Sequence, residues 1–405
     1  MKILHVNYYD KSGGAAKAAR RLHKGLLTAG IDSKMLVVEK RSSSESVIAC
    51  SRKVARKLQI LQRVEALLLR TGSRNPLLPQ ALNLPHSPVL ELINRSDADI
   101  VNLHWINGCM LGIKDLPEIN KPVVWTLHDA WPYCGTEHHH NSSDNSFVRG
   151  YKRAKSYGFF DWAPFNWRRK MKYWRNWHPI TVAPSKWLNN EARKSMIFKD
   201  CNNLHIPNGL NLNVFKSTDK STARKELGIP DNKKVIALGA FDVKDRNKGG
   251  VQLNNALKIL EQKYGKQIEL LVIGNGTLEL PFKSYNTGFI ANDKPMANIY
   301  PAADVFISAS KYEAFGYMLV EASACGIPCV AFATGGIPDI VKHRETGYLA
   351  KCFQPEDLAA GIEFALQNTV TLGENAAKYC RKNFDLELVA KQYIQLYKGI
   401  LNEEV

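Results

Sequence analysis

Asp304-Val305-Phe306-Ile307-Ser308, followed after three residues by Tyr312-Glu313-Ala314-Phe315-Gly316-Tyr317-Met318-Leu319-Val320-Glu321-Ala322, decides the fold of this chain. The first run is short, apolar and rich in β-branched and aromatic residues, the composition of a buried strand. From Gly316 the pattern changes: Leu319, Val320, Ala322 and Ser323 recur at helical spacing, and Gly326 with Pro328 supplies a cap and a stop. The unit reads strand, loop, helix.

A helix that opens just past a buried strand presents unpaired backbone N–H groups and a positive dipole end at the carboxyl edge of the sheet. Gly316 lets a phosphate approach that edge. Glu313 lies in the loop and Glu321 in the first two turns of the helix, so both carboxylates can face one pocket, where each accepts hydrogen bonds from sugar or ribose hydroxyls. Cys329-Val330-Ala331-Phe332 is the next strand. Gly335-Gly336-Ile337-Pro338 then opens another helix with Pro near its start, a second backbone cradle.

These residues carry a resemblance. E-x-F-G-x-x-x-x-E-A-x-A-x-G-x-P from Glu313 to Pro328, followed by G-G-I-P-D and T-G-Y-L, resembles the donor-site signature of retaining GT-B glycosyltransferases of family 4, of the bacterial cell-surface polysaccharide type that builds O-antigen, lipopolysaccharide or capsule. It implies an α/β protein of two Rossmann-like parallel-sheet domains facing a cleft, with a C-terminal helix crossing back to the first. It implies hexosyl transfer with retention, from a UDP- or GDP-linked sugar to a saccharide acceptor. Glu313 would hold the donor sugar and Glu321 the ribose. The amides at Phe315 and Gly316 would take the diphosphate without a metal or other cofactor.

The 405 residues, 45% of them hydrophobic, suffice for two cores. Eight cysteines form no C-x-x-C pair, which points to a reducing cytoplasm. No signal peptide precedes the first strand, and no apolar run approaches the roughly 20 residues that span a bilayer. The net charge of +17 is unevenly placed: residues 1–212 carry 32 Lys and Arg against 16 Asp and Glu, and residues 213–405 carry 23 against 22. One half therefore faces an anionic surface, whereas a nucleic-acid binder would show a recognisable module.

In the first half, Ile3 to Tyr8 reads as a strand, followed by Gly13-Gly14 and an alanine-rich helix. A Gly-Gly turn there suits phosphate approach but is not the dinucleotide G-x-G-x-x-G; by resemblance Gly13 and Gly14 face the donor diphosphate. Strands follow at Ser33–Val38, Ile100–His104 and Val123–Leu127, the last running into His128-Asp129. Alternating strands and helices give a parallel sheet whose sites lie at the strands' carboxyl ends, where His128 sits. The T-L-H-D context resembles the family's histidine beside the reacting sugar, so His128 joins Glu313 as a candidate catalytic residue. The segment from Asp129 through Trp131, Cys134, Glu137 and His138, with Ser185 and Trp187, is the acceptor side by resemblance. Asp97-Ala98-Asp99 precedes its strand, at the wrong end of the sheet for a metal.

Two segments suit a membrane headgroup region and an acceptor that is lipid-linked. Residues 52–70 read as a basic amphipathic helix, and residues 157–178 interleave Phe159, Phe160, Trp162, Phe165, Trp167, Tyr173, Trp174 and Trp177 with cations. Localisation is then cytoplasmic, on the inner face of the cell membrane.

Pro207-Asn208-Gly209 and the polar run after it are a linker signal. The domains are 1–212 with the terminal helix 387–405, and 213–386. In the second, Lys248 matches a family cation on the diphosphate, Ala240 stands where the family has an arginine, and Arg246 is the candidate substitute. Gly274 closes the strand Leu270–Ile273, and the backbone at Phe289 and Ile290 meets the base by resemblance. Two rivals stand beside glycosyl transfer: a sugar-nucleotide epimerase on the same fold, and a basic nucleic-acid-binding protein.

Overall fold

The computed structural model describes residues 1–72, 79–140, 144–152, 160–239, 246–275 and 281–403. The chain divides into two compact units: unit 1 is Met1–Asn208 with Val389–Val405, and unit 2 is Gly209–Leu388.

Unit 1 contains β1 (Lys2–Tyr9), β2 (Asp32–Glu39), β3 (Val47–Ala49), β4 (Ile100–Leu103), β5 (Val123–Thr126), β6 (Ile180–Ala183) and β7 (Asn203–His205). They form one parallel sheet in the order β3-β2-β1-β4-β5-β6-β7. Every residue of β4 and β5 is buried, because helices cover both faces of such a sheet and the strands read as unbroken apolar runs. Chain direction across the sheet reverses between β1 and β4, and crevices for ligands open at the carboxyl ends of strands at such a reversal.

Unit 2 repeats the plan with β8 (Lys234–Gly239), β9 (Ile268–Ile273), β10 (Ser284–Asn286), β11 (Val305–Ser308), β12 (Cys329–Phe332) and β13 (Gly347–Ala350). Their order is β10-β9-β8-β11-β12-β13, again all parallel, with the reversal between β8 and β11. Alternate residues feed two cores. Val235, Ala237, Leu271, Ile273 and Phe306 enter one, and Ile236, Leu238, Leu270, Val272 and Ile307 enter the other, the period-two division a pleated strand imposes.

Most of the terminal helix Leu386–Glu403 belongs to unit 1, where Val389, Tyr393, Tyr397 and Ile400 pack with Ile3, Leu22, Leu26 and Ile100. Its two tyrosines tie it to the sheet. Asn102 Nδ2 donates to the Tyr397 hydroxyl at 2.6 Å, and the Thr126 and Tyr393 hydroxyls lie 3.1 Å apart.

The Trp-rich stretch departs from expectation only in part, since Phe165 stays 36% exposed. Phe159 lies outside the described residues, but Trp167 and Trp174 are core: Trp174 packs at 5.6 Å on Trp125, at 6.4 Å on Trp131 and at 6.4 Å on Phe198, and Trp177 lies 6.0 Å from Trp125. Lys170, one of the supposed surface cations, is fully buried. An indole buries a large area, and facing aromatics claimed it before any headgroup.

The basic helix Arg52–Leu69 buries a mixed face, with Leu58 and Glu65 both inward. Its inward side chains include Gln62, which donates to the Tyr8 hydroxyl and the Gly108 carbonyl, and Glu65, whose carboxylate accepts the Leu82 and Asn83 amides. Its outward side carries Ile60 at 54%, Val64 at 48% and Leu67 at 60% exposure, beside the exposed Lys53, Arg56, Lys57 and Arg63. Among the described residues no helix is long and apolar enough to cross a membrane.

Candidate active site

In unit 2 the candidate residues gather at the carboxyl ends of β8 and β11, where the sheet reverses. After β8 the backbone of Arg246–Lys248 makes a 3₁₀ turn and leads into the helix Gly250–Tyr264. Ala240 lies outside the described residues, as does the Arg246 side chain. Lys248 Nζ is 3.3 Å from Glu313 Oε2, so the cation expected on a diphosphate and the carboxylate expected on a sugar meet. Both keep exposed surface, 36% for the Lys248 side chain and 24% for Glu313.

Three loops interlock around this pair through their backbones. The Lys311 amide donates to the Asn247 carbonyl at 2.6 Å, the Gly336 amide to the Glu313 carbonyl at 2.8 Å, and the Thr334 hydroxyl to the Lys311 carbonyl at 3.0 Å. Glycine is required at two contacts. A Cβ on Gly249 (φ +65°) would come 2.0 Å from the Ala309 carbonyl oxygen, and one on Gly335 (φ +54°) 2.2 Å from that of Glu313. Such crowding leaves room for backbone alone.

Gly316 (φ +108°) caps the helix Tyr317–Ala324, so its amide and that of Phe315 precede the first turn. The Phe315 ring is buried against Tyr317 and Phe384. Glu321 is fully buried and accepts the Tyr300 hydroxyl at 2.9 Å, while burial and the neighbouring carboxylate push the tyrosine well above its ordinary pKa. A ribose therefore meets Glu321 only if the groups over it give way. Gly274 (φ +127°) bridges to Gly288 beyond β9, Phe289 is 52% exposed, and Ile290 packs on the core.

In unit 1, His128 lies two residues past β5 and is partly buried. Its Nε2 is 3.0 Å from His104 Nδ1, the rings stacked at 5.3 Å, and His104 Nε2 is 2.9 Å from His5 Nδ1. Burial lowers His128 to about 4 against a weaker opposing pull from Asp129, and pushes His104 and His5 well below the ordinary histidine range, so all three are neutral near pH 7.

Asp129 accepts the Trp131 amide at 3.0 Å, the Trp105 indole N–H at 3.1 Å and a contact from His138 Nδ1 at 2.6 Å. Burial drives its pKa up, but His138 and these donors outweigh that and leave it below the usual carboxylate range. Trp131 and Cys134 have no exposed surface, so they shape this loop from beneath without meeting a ligand. Glu137 accepts the Thr136 amide and the Tyr151 hydroxyl. Under the loop, the Lys170 ammonium donates to the carbonyls of Trp131, Cys134 and Gly135 and sits 3.8 Å over the Trp131 ring; burial lowers its pKa to about 7. Ser185 caps the helix Lys186–Lys194, and Trp187 stacks on His140 at 5.9 Å. Asp97 pairs with Lys2 and Lys34 at the amino end of the sheet.

Gly13 (φ +86°) and Gly14 start the helix Gly13–Thr28, and a Cβ on either would meet nothing within 4 Å. Arg41, which the sequence reading passed over, reaches this turn: its Nη1 donates to the Ser12 hydroxyl at 2.9 Å. His104, His5 and Tyr300 were also missed, and Lys170 was read as a surface cation. For His104 a signal existed, since it ends a strand as His128 does.

Residues 12–214 match the family described as Glycosyltransferase Family 4, and residues 219–383 match Glycosyl transferases group 1. The chain belongs to glycosyltransferase family 4. It is similar to the N-acetyl-alpha-D-glucosaminyl L-malate synthase of Bacillus anthracis, 27% identical over 49% of this chain and 54% of that one. It also resembles the D-inositol 3-phosphate glycosyltransferase of Corynebacterium jeikeium, 31% identical over 48% of this chain and 51% of that one. The chain thus spans about half the length of the curated relatives it matches. Among solved structures, Anabaena HepE in complex with UDP and glucose superposes with a TM-score of 0.68 at 19% identity, covering 98% of this chain and 99% of that one. The two parallel-sheet units are the two Rossmann-like domains of the GT-B fold.

Proposed function

We propose that the protein moves a hexosyl group, with retention, from a nucleoside diphosphate sugar to a saccharide acceptor, and does so without a metal. The observation that carries this reading is the Lys248 and Glu313 pair at the sheet reversal of unit 2. On donor binding, Lys248 exchanges its carboxylate partner for the diphosphate, joined by the helix amides at Phe315 and Gly316, and together they stabilise charge on the leaving group. Glu313, released, takes the sugar hydroxyls. Glu321, held by Tyr300, takes the ribose, and Phe289 offers an exposed ring to the base. His128 acts on the reacting sugar, held on the scaffold of the Asp129 to His138 loop. Retention follows from attack on the face the leaving phosphate departs from. A solved relative bound to UDP and glucose favours a uridine donor.

The acceptor is lipid-linked, and unit 1 docks on an anionic membrane. Support comes from the outward face of the Arg52–Leu69 helix, where Ile60, Val64 and Leu67 stand among cations while polar Gln62 and Glu65 are turned inward. Such a face suits a headgroup interface. The product belongs in bacterial surface-polysaccharide assembly.

The test is to incubate the protein with UDP-, GDP- and ADP-sugars and a membrane extract, and to follow nucleoside diphosphate release and the anomeric configuration of the product by NMR. Release with the donor's configuration kept is the expected result. An inverted product, or an epimerised sugar nucleotide without release, overturns the reading.

A further inference from the structure

Three histidines from adjacent strands of unit 1 form one hydrogen-bonded line across the sheet reversal. His5 is in β1, His104 follows β4 and His128 follows β5, and the strand order β1-β4-β5 sets them side by side. Their contacts run His5 Nδ1 to His104 Nε2 at 2.9 Å, then His104 Nδ1 to His128 Nε2 at 3.0 Å.

A neutral imidazole has one N–H and one lone pair, so each contact needs a donor on one side and an acceptor on the other. Only two proton arrangements satisfy both contacts. In one, all three rings carry the proton on Nδ1; in the other, all three carry it on Nε2. The far end of the line decides between them. His5 Nε2 is buried and has no hydrogen-bond partner among the described residues. The all-Nε2 arrangement strands an N–H there, whereas the all-Nδ1 arrangement strands a lone pair, and an orphaned buried N–H is the rarer and costlier fault.

Among the described residues no neighbouring group offers that N–H an outlet. The helix Gly13–Thr28 contributes His23, whose ring lies 5.9 Å from that of His5, but His23 binds the Ser33 hydroxyl at 2.7 Å and the Ser46 hydroxyl at 2.8 Å. At the near end Asp129 is occupied by Trp131, Trp105 and His138. A proton entering at His128 Nδ1 would have to emerge at His5 Nε2, which leads nowhere.

We propose that His104 is a positioning residue: with His5 it holds His128 in the Nδ1–H tautomer, so that His128 gives a sugar oxygen a hydrogen-bond donor and does not act as a general base. The inference deepens the proposed glycosyl transfer and rests on it for the sugar, but the tautomer is read independently of any reaction. It also suits a retaining transfer, in which the departing phosphate rather than a side chain receives the acceptor's proton.

The experiment records ¹H–¹⁵N correlations through the histidine rings of the full-length protein, with His128 assigned from the spectrum of His128→Gln. Wild type should show His128 Nδ1 protonated and Nε2 as the bare nitrogen. His104→Phe, which removes both ring nitrogens, should mix the two tautomers at His128 and lower kcat about tenfold to a hundredfold with little change in donor KM. His104→Asn, which keeps a polar group in the line, should restore part of both. A proton on Nε2 of wild-type His128 overturns the proposal, and so does a His104→Phe protein with unchanged tautomer or unchanged kcat. If His104→Phe fails to fold, the wild-type tautomer decides alone. Absence of any sugar transfer by wild type would count against the proposed function and leave the tautomer readout standing.

Discussion

Acid should loosen unit 1 well before it loosens unit 2, because unit 1 buries neutral histidines. His23 is the clearest case: burial lowers it from the ordinary 6.5 to about 4, with Lys24 adding to the shift. The unfolded chain therefore takes up a proton first as pH falls. This contribution is fully present above about pH 6.5, declines as pH drops, and levels off near the folded value of about 4. Integrating between pH 7.5 and pH 5 gives a loss of about 2 kcal/mol for His23 alone, or about thirtyfold in the opening equilibrium. His5 and His104, lowered further by the same cause, deepen the drop. Glu65, raised by burial, opposes it, and Asp129, lowered, acts only at more acid pH. Unit 2 contains a single histidine, His343, and it is exposed. Hydrogen exchange of the intact protein, corrected for the intrinsic pH dependence of exchange, should show protection in β1, β2 and β4 falling at least thirtyfold over this range, with β9 and β11 nearly unchanged. His23→Gln should remove about that factor from unit 1. A fall shared equally by both units, or one that His23→Gln does not reduce, would refute the assignment.

Gly335→Ala forces a Cβ to within 2.2 Å of the Glu313 carbonyl at a left-handed backbone position, and should cost about 1–3 kcal/mol and weaken nucleotide binding, as calorimetry of both would show. Gly14→Ala meets nothing within 4 Å, so its melting temperature should not move, and reduced donor turnover there would mark crowding by substrate alone. Vesicle co-sedimentation should require anionic lipid and weaken at high salt, since each cation near the surface adds about 1 kcal/mol. Replacing Ile60, Val64 and Leu67 together by Ser should abolish the salt-resistant remainder, and a triple variant that binds as well as wild type would remove this helix from the membrane face. Lys170→Met leaves the carbonyls of Trp131, Cys134 and Gly135 without their donor, each buried group costing about 1–3 kcal/mol, so thermal melting should fall steeply.

Strands flanked by turn residues and buried on both faces were legible: Cys329–Phe332 falls on β12 to the residue, and β1, β2, β4 and β5 differ from their readings by one residue at an end. The three-residue β3 and β7 were not, because so short a run at a sheet edge carries little periodicity. The cradle around Glu313 was legible because loop and helix are contiguous in sequence. The histidine line was not: His5, His104 and His128 become neighbours only through the strand order, which no local pattern encodes. The Trp-rich stretch misled for a related reason. Alternating Trp and cations read alike whether the rings meet lipid or Trp125, and only the tertiary partners of Trp174 separate the two.

The central claim is that Lys248 and Glu313 define a nucleoside diphosphate sugar site in unit 2. Calorimetric titration of UDP, GDP and ADP into wild type and into Lys248→Met tests it most directly. One of the three should bind wild type, and Lys248→Met, which removes a charge-assisted contact of about 1.5–3 kcal/mol, should bind it about tenfold or more weakly. Equal affinity in the two proteins, or binding of none of the three to wild type, would contradict the account.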